Sequence, residues 1–187
     1  MKKKFLFAFA LLFVLGTAGA FAFDWSQSWF SYGGGIKKGD KILQVDAGLG
    51  DWVLEENYGY ERWYVPYVEA EFAYAGSIGK LPFTFGAFVG FDGHGYRYSS
   101  HEEDVRSFFK VFAGGDIAYH FQLPPKIIDM YGGARAGVKL RLGDYEEHVR
   151  LLIDPYVGAN FFFNDFLGLN VELCYENWLR AGLSVKF

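Results

Sequence analysis

The 187-residue sequence has little of three features that shape many proteins: cysteine, proline and long apolar segments. Its single cysteine, Cys174, excludes an intrachain disulfide and a thiolate metal cluster, and we interpret it as a small residue packed in a strand. After residue 22 no stretch reaches 18 apolar residues, which excludes a transmembrane helix in that part. Low charge, 21%, and high apolar content exclude a disordered chain.

Glycine and aromatic residues are abundant instead, with 24 glycines and 21% Phe, Tyr and Trp. Both groups form helices poorly. Strands, tight turns and crowded interiors accommodate them well. The length suits one domain, so the composition favours a single all-β domain.

The first 22 residues predict a cleaved signal peptide. Lysines at positions 2–4 precede an apolar run over residues 5–15, and Ala20-Phe21-Ala22 fits the small-x-small cleavage rule. A permanent anchor is the alternative, although 11 apolar residues are short for one. Cleavage removes three positive charges and takes the net charge from −4 to −7, which disfavours a nucleic-acid partner.

From residue 41 onward the dominant hydrophobic period is two, as in strands with one apolar face. It predicts eight strands, at 41–50, 63–74, 81–91, 105–121, 128–142, 151–163, 166–175 and 178–187. Long polar connections alternate with short ones along most of the chain, which is typical of outer-membrane barrels. An even strand number returns both termini to the periplasmic side.

Residues 23–40 admit two interpretations, either an extra strand at 28–36 or an aromatic lead-in at the membrane interface. Nine strands would place one terminus outside, so we favour the lead-in. The predicted organisation is therefore a signal peptide (1–22), a lead-in (23–40) and a barrel (41–187).

The two faces of the predicted strands differ in charge and in size. The apolar face has 48 positions without a charged residue and carries 13 aromatics, whereas the other face carries ten glycines. A charge facing lipid costs about 2–4 kcal/mol at mid-membrane, so the apolar face is expected to point outward. A soluble ligand-binding barrel would need the reverse. The inward charges are Asp46, Glu69, Glu71, Lys110, Asp116, Asp129, Arg135, Lys139, Arg141, Asp154, Glu172, Arg180 and Lys186.

Seven of these inward charges are acidic and six are basic, a near balance that predicts mutual ion pairs. An eight-stranded barrel has little interior space, so we expect a filled lumen rather than an open conduit. Four aromatic residues fall at the loop-side strand ends and are expected at the membrane interface: Trp63, Tyr64, Tyr175 and Trp178.

The last strand alternates Leu179, Ala181, Leu183, Val185 and Phe187 with polar or small residues and ends on Phe. With the stretches at 154–163 and 170–173 and the opening at 38–43, it resembles small outer-membrane barrels of the OmpA/OmpX type. This resemblance implies an eight-stranded up-and-down barrel in the outer membrane of a diderm bacterium. It also implies an assembly signal at Leu183, Val185 and Phe187, read by the barrel-assembly machinery after periplasmic chaperones deliver the chain. The family implies no single function.

Three functions remain open from the sequence. We expect a structural barrel, in contact with outer-membrane lipids and with external partners through its loops, that is not an enzyme and uses no cofactor. The long segments 105–121 and 128–142 are expected to stand above the lipid as a wall. A narrow pore is the first alternative. The second is a lipid-modifying enzyme, for which the candidate residues are Asp92, His94, Ser99, Ser100 and His101.

Overall fold

The computed structural model describes residues 29–48, 61–97, 105–122, 127–143 and 148–187. The predicted signal peptide, residues 23–28 of the predicted lead-in and residues 49–50 of the first predicted strand lie outside these ranges. In the described part of the chain no helix is long and apolar enough to cross a membrane.

Eight antiparallel strands form one closed barrel in which each strand pairs with the next and the last pairs with the first. They are β1 (Lys41–Gly48), β2 (Glu61–Ile78), β3 (Leu81–Arg97), β4 (Val105–Gln122), β5 (Ile128–Gly143), β6 (Val149–Phe162), β7 (Leu167–Cys174) and β8 (Trp178–Lys186). The strand number and the up-and-down order predicted from the OmpA/OmpX resemblance are therefore confirmed.

The barrel is taller on one side than on the other. β2 to β6 contain 14 to 18 residues, whereas β1, β7 and β8 contain 8 or 9. Among the described residues, the last pair of β1 with β2 is Gly48 with Tyr67, and the last pair of β6 with β7 is Tyr156 with Cys174. The ends of β2 to β6 beyond these pairs form a loop-side wall.

Two predicted strand boundaries were wrong by more than two residues. β2 runs four residues further than predicted at its end, leaving the two-residue turn Gly79–Lys80, and β3 runs on to Arg97. The extension of β3 was not predicted because Gly93 and Gly95 have no side chains and therefore interrupt the apolar alternation. On the outer surface Phe109 and Trp63 cover these two glycines, and their ring centroids lie 5.6 Å apart.

A register shift between Val65 and Val68 of β2 reverses the faces predicted for residues 63–65, whereas residues 68–74 keep the predicted alternation. Trp63 consequently takes the outer position, where it contacts Phe109. Tyr64 takes the opposite face from the one that strict alternation assigns it. A bulge of this kind leaves no clear trace in the hydrophobic pattern.

Candidate functional site

The interior of the barrel, which we call the lumen, is the candidate site because it concentrates the buried polar groups. Of the 13 charges predicted to face inward, 11 are buried, while Lys139 and Arg141 are half-buried. Among the described residues, 32 large hydrophobic side chains are exposed, and most of them lie on the barrel exterior. This arrangement is the inverse of a water-soluble protein and matches a surface in contact with lipid.

Arg135 on β5 is the centre of the largest ion-pair network. Its guanidinium lies 2.6 Å from the Glu71 carboxylate, 3.3 Å from that of Glu69 and 3.0 Å from that of Glu172. The ring of Tyr156 lies beneath it, 3.9 Å from the guanidinium carbon. Arg135 is 1% exposed. Because Glu69 and Glu71 lie on β2 and Glu172 lies on β7, this one cation links β2 to β7 across the lumen.

Arg180 on β8 joins two of the same carboxylates. Its guanidinium lies 2.5 Å from Glu69 and also contacts Glu172, and it donates to the Tyr67 hydroxyl at 3.0 Å. The two arginines thus share Glu69 and Glu172 between them. Pairing makes these buried ions tolerable, although Arg135 Nε, Arg135 Nη1 and Arg180 Nε have no hydrogen-bond partner among the described residues.

A neutral network continues from these ions toward the turn side. Tyr131 donates to Glu172 at 2.8 Å, and Asn170 contacts the Tyr131 hydroxyl. The Asn160 side-chain oxygen then accepts from Gln44, Asn170 and Ser184 at 2.8–3.2 Å. The lumen is therefore crossed by side-chain hydrogen bonds over much of its length.

At the turn side, three side chains on adjacent strands form a relay. Thr84 lies 2.8 Å from His120 Nε2, and His120 Nδ1 lies 2.8 Å from the Asp129 carboxylate. The order hydroxyl, imidazole, carboxylate is that of a hydrolase triad. All three are at most 3% exposed, so no substrate reaches the hydroxyl in this structure.

Residues 29–40 contain no strand and cross the turn-side mouth of the lumen. We call them the strap. The Tyr32 hydroxyl lies 2.6 Å from Phe83 O and also contacts Gly76 O, while Gly33 N donates to Asp129 at 3.0 Å. Burial and the nearby Asp129 carboxylate raise the pKa of Tyr32 to about 12, which keeps its hydroxyl proton. At the strap's outer end, the Trp29 ring stacks on Phe121.

Four inward charges, Asp46, Asp116, Asp154 and Lys186, take no part in the ion pairs of the described residues. Asp154 accepts from Glu176 N at 2.9 Å. Neither carboxylate oxygen of Asp46 has a hydrogen-bond partner, although the residue is 1% exposed. Asp116 accepts from Tyr156 through one oxygen only. Lys186 donates to Gly34 O instead of to an acid. A near balance between acidic and basic inward residues therefore does not produce complete ion pairing, because pairing depends on where each charge lies along the lumen.

The unpartnered carboxylate of Asp46 leads to a prediction about stability. Asp46→Asn keeps the side-chain shape and removes the buried charge, so we expect the free energy of unfolding to rise by about 1–3 kcal/mol. Glu69→Gln, one strand away at the paired position, is the matched control and should lower it, because it leaves two arginines short of a partner. Urea unfolding in lipid vesicles measures both, and a loss of stability in Asp46→Asn would contradict the prediction.

A small cleft lies at the loop-side mouth of the lumen. Tyr67, Phe112 and Leu152 form its apolar wall, with the first two rings stacked at 4.9 Å. Lys139 and Glu176 form an ion pair at its rim. Behind the cleft lie Glu69 and Arg135, so it leads directly onto the central network.

The four aromatics predicted at the interface lie on the loop side. Trp63 and Tyr64 are more than a third exposed, Tyr175 is 76% exposed, and Trp178 is half-buried with a φ of 61°. In the last strand, Leu183 and the terminal Phe187 point outward and Val185 is half-buried. Their predicted role in assembly remains a prediction.

Sequence reasoning missed the uncharged members of the lumen networks. His120 and Asn160 were not predicted, nor were Thr84, Gln44, Asn170 and Ser184. The signal was present, because these residues share strand parity with the inward charges and would have been found by counting polar groups as well as charges.

The residues considered for catalysis do not form a site in the described ranges. Asp92 and His94 lie on β3, beyond the end predicted for that strand at residue 91, and the other three candidates lie outside the described residues. Asp92 lies 3.5 Å from Lys110, and His94 stacks on Phe108. No group of three or more His, Cys, Asp or Glu in the described part is placed to hold a metal ion.

No protein-family model and no curated protein sequence matches the chain. Among solved structures, it is similar to a chain from the de novo design of transmembrane β-barrels, at 15% identity and TM-score 0.40, over 81% of this chain and 98% of that one. It is also similar to the Yersinia pestis outer membrane protein Ail in a phospholipid bilayer nanodisc, at 12% identity and TM-score 0.47, over 80% and 99%. The assignment to a membrane rests on the barrel's own surface, whose exterior is apolar and whose charges are buried.

Proposed function

We propose that this chain is a small integral outer-membrane barrel with a filled polar lumen and a structural role. The observation that carries the proposal is the contact of Arg135 with carboxylates of β2 and β7, strands that are not its neighbours. Such contacts exist only if side chains meet across the lumen. A barrel braced in this way resists deformation and has no continuous aqueous path through its described interior.

Both ends of the lumen support the same conclusion. The stacked Tyr67 and Phe112 rings narrow the loop side. At the turn side the strap lies across the opening, held by Asp129 and Lys186. A filled lumen also agrees with the limited interior of eight-stranded barrels. The narrow-pore alternative would require several of these contacts to break together.

The outer-membrane location and the biogenesis partners belong to this proposal. In a closed barrel no strand is an edge strand, so the backbone N–H and C=O groups within the hydrocarbon region are all paired, as a membrane-spanning structure requires. An exported barrel of this kind would have both termini in the periplasm and would depend on chaperones and on the assembly machinery. The loop-side wall, where β2 to β6 extend beyond the last described pairs with β1 and β7, is where external partners would bind.

We also propose that the barrel is not an enzyme. The burial of Thr84, His120 and Asp129 supports this, since the arrangement joins three strands and contacts the strap instead of facing a cleft. Each of the three side chains satisfies hydrogen-bonding groups of the others, which is what a buried polar cluster requires.

Conductance tests the filled lumen directly. Purified wild-type protein in planar bilayers is expected to show no reproducible open steps at moderate voltage, because the Arg135 network and the strap block the lumen. A large porin reconstituted in the same way serves as the positive control. Heat-modifiable migration on gels establishes in the same sample that the barrel is folded. Reproducible unitary steps from folded protein would overturn the proposal in favour of a pore.

A further inference from the structure

We propose that the turn-side mouth of the barrel is a peptide-binding site, which the chain's own residues 32–36 occupy in cis. The ligand class is a glycine-rich turn followed by a branched aliphatic residue. This goes beyond the structural role proposed above, because it assigns a recognition chemistry to the periplasmic end of the barrel.

The occupant has the form of a compact turn. Ile36 N donates to Gly33 O at 3.0 Å, and the two central residues, Gly34 and Gly35, have φ values of 59° and 68°. Two positive φ angles in succession define a turn that glycine adopts without strain. The turn thus carries no side chain at the positions that enter the mouth.

Two charged groups of the barrel bind the backbone of this turn. The Asp129 carboxylate, 0% exposed, accepts from Gly33 N at 3.0 Å, and the Lys186 ammonium donates to Gly34 O at 3.1 Å. An acid aimed at an N–H and an ammonium aimed at a carbonyl recognise peptide backbone of any origin. Asp129 contacts His120 and Asn160 through Oδ2 and receives Gly33 N on Oδ1. Lys186 forms no ion pair within the described residues, and its side-chain hydrogen bond goes to the turn.

Two features restrict the sequence of the ligand. A Cβ on Gly33 would lie 2.2 Å from Ile128 O, and one on Gly34 would lie 2.5 Å from the Phe162 ring, so both positions exclude side chains. Three residues after Gly33, Ile36 is 5% exposed and packs with Ile42, Ala73, Ala75 and Phe162. The mouth therefore selects two small residues and then an aliphatic side chain.

The barrel closes without help from the turn. Lys41 and Phe187 exchange backbone hydrogen bonds of 2.8 and 2.9 Å, and β1 pairs with β8 from Ile42 onward. Residues 32–36 contribute no ladder pair to any strand. A segment that is bound through a few side-chain contacts, and is not woven into the sheet, can leave its site while the sheet persists.

The test uses the full-length chain carrying Gly33→Val, in which the valine meets the backbone of β5 and expels the turn. A fluorescent peptide with the sequence of residues 29–40 is the probe, followed by anisotropy in micelles. We expect the variant to bind this peptide at least ~10-fold more tightly than wild type, because a tethered segment competes at an effective concentration on the order of millimolar. A peptide carrying Gly33→Val should bind to neither chain.

Gly132→Val is the matched control, since a Cβ there meets only ordinary contacts at 3.6 Å or more. The Gly132→Val variant should bind the peptide as weakly as wild type does. Hydrogen exchange at residues 32–36 verifies expulsion, and heat-modifiable migration verifies the barrel. If Gly33→Val does not yield a folded barrel, Ile36→Asp expels the same turn without a clash against the backbone of β5. The proposal is overturned if the turn exchanges freely but the peptide does not bind, or if Gly33→Val leaves the turn protected.

Discussion

Replacing Arg135 with methionine is expected to lower the free energy of unfolding of the barrel by about 3–5 kcal/mol, the usual cost of removing one partner from a buried ion pair. The variant leaves Glu69, Glu71 and Glu172 in the lumen, and Glu71 then has no remaining arginine contact. It also removes the cation over the Tyr156 ring. Urea titration in lipid vesicles, followed by tryptophan fluorescence and by gel migration, measures the change.

Two further variants separate charge from bulk. Arg106→Met makes the same substitution at an exposed residue of β4 and should change stability by no more than about 0.5 kcal/mol. Arg135→Lys keeps the charge but cannot make three directed contacts, so its loss should be intermediate. Equal stability of Arg135→Met and wild type would show that the network is not what braces the barrel.

The burial of this arginine could be predicted from the sequence because strand side chains alternate between faces. Arg135 falls at the same parity as Asp129, Lys139 and Arg141 on one predicted strand, opposite an unbroken apolar face. The cost of placing charge in lipid then decides which face points inward. The choice of partners could not be predicted, because Glu71 and Glu172 lie 64 and 37 residues away along the chain.

Residues 29–40 show where sequence reasoning reaches its limit. Three consecutive glycines were ambiguous between an extra strand and a lead-in, since glycine carries no hydrophobic signal. Their role depends on Ile128 O, Asp129 and Phe162, which the fold brings to the mouth from β5 and the end of β6. The bulge between Val65 and Val68 could not be predicted for a related reason. It shifts the pairing of β2 with β3 without altering the composition of the segment.

The second large effect concerns the outer surface. Val45 lies in the middle of β1, one of the two shortest strands of the barrel, and is 48% exposed. Val45→Arg is expected to lower the free energy of unfolding in lipid vesicles by about 2–4 kcal/mol, because the guanidinium would face the centre of the hydrocarbon region. A water-soluble barrel would tolerate an arginine at this exposed position to within about 0.5 kcal/mol.

Val149→Arg provides the matched comparison. Val149 is 62% exposed and lies seven residues beyond the last β6 position paired with β7, about 23 Å further along the strand at 3.3 Å per residue. An arginine there lies outside the hydrocarbon and should cost at most about 1 kcal/mol. The difference between the two variants measures depth in the membrane, since the substitution and the exposure are alike. If both variants unfold at the wild-type urea concentration, the exposed apolar face does not contact lipid and the membrane assignment fails.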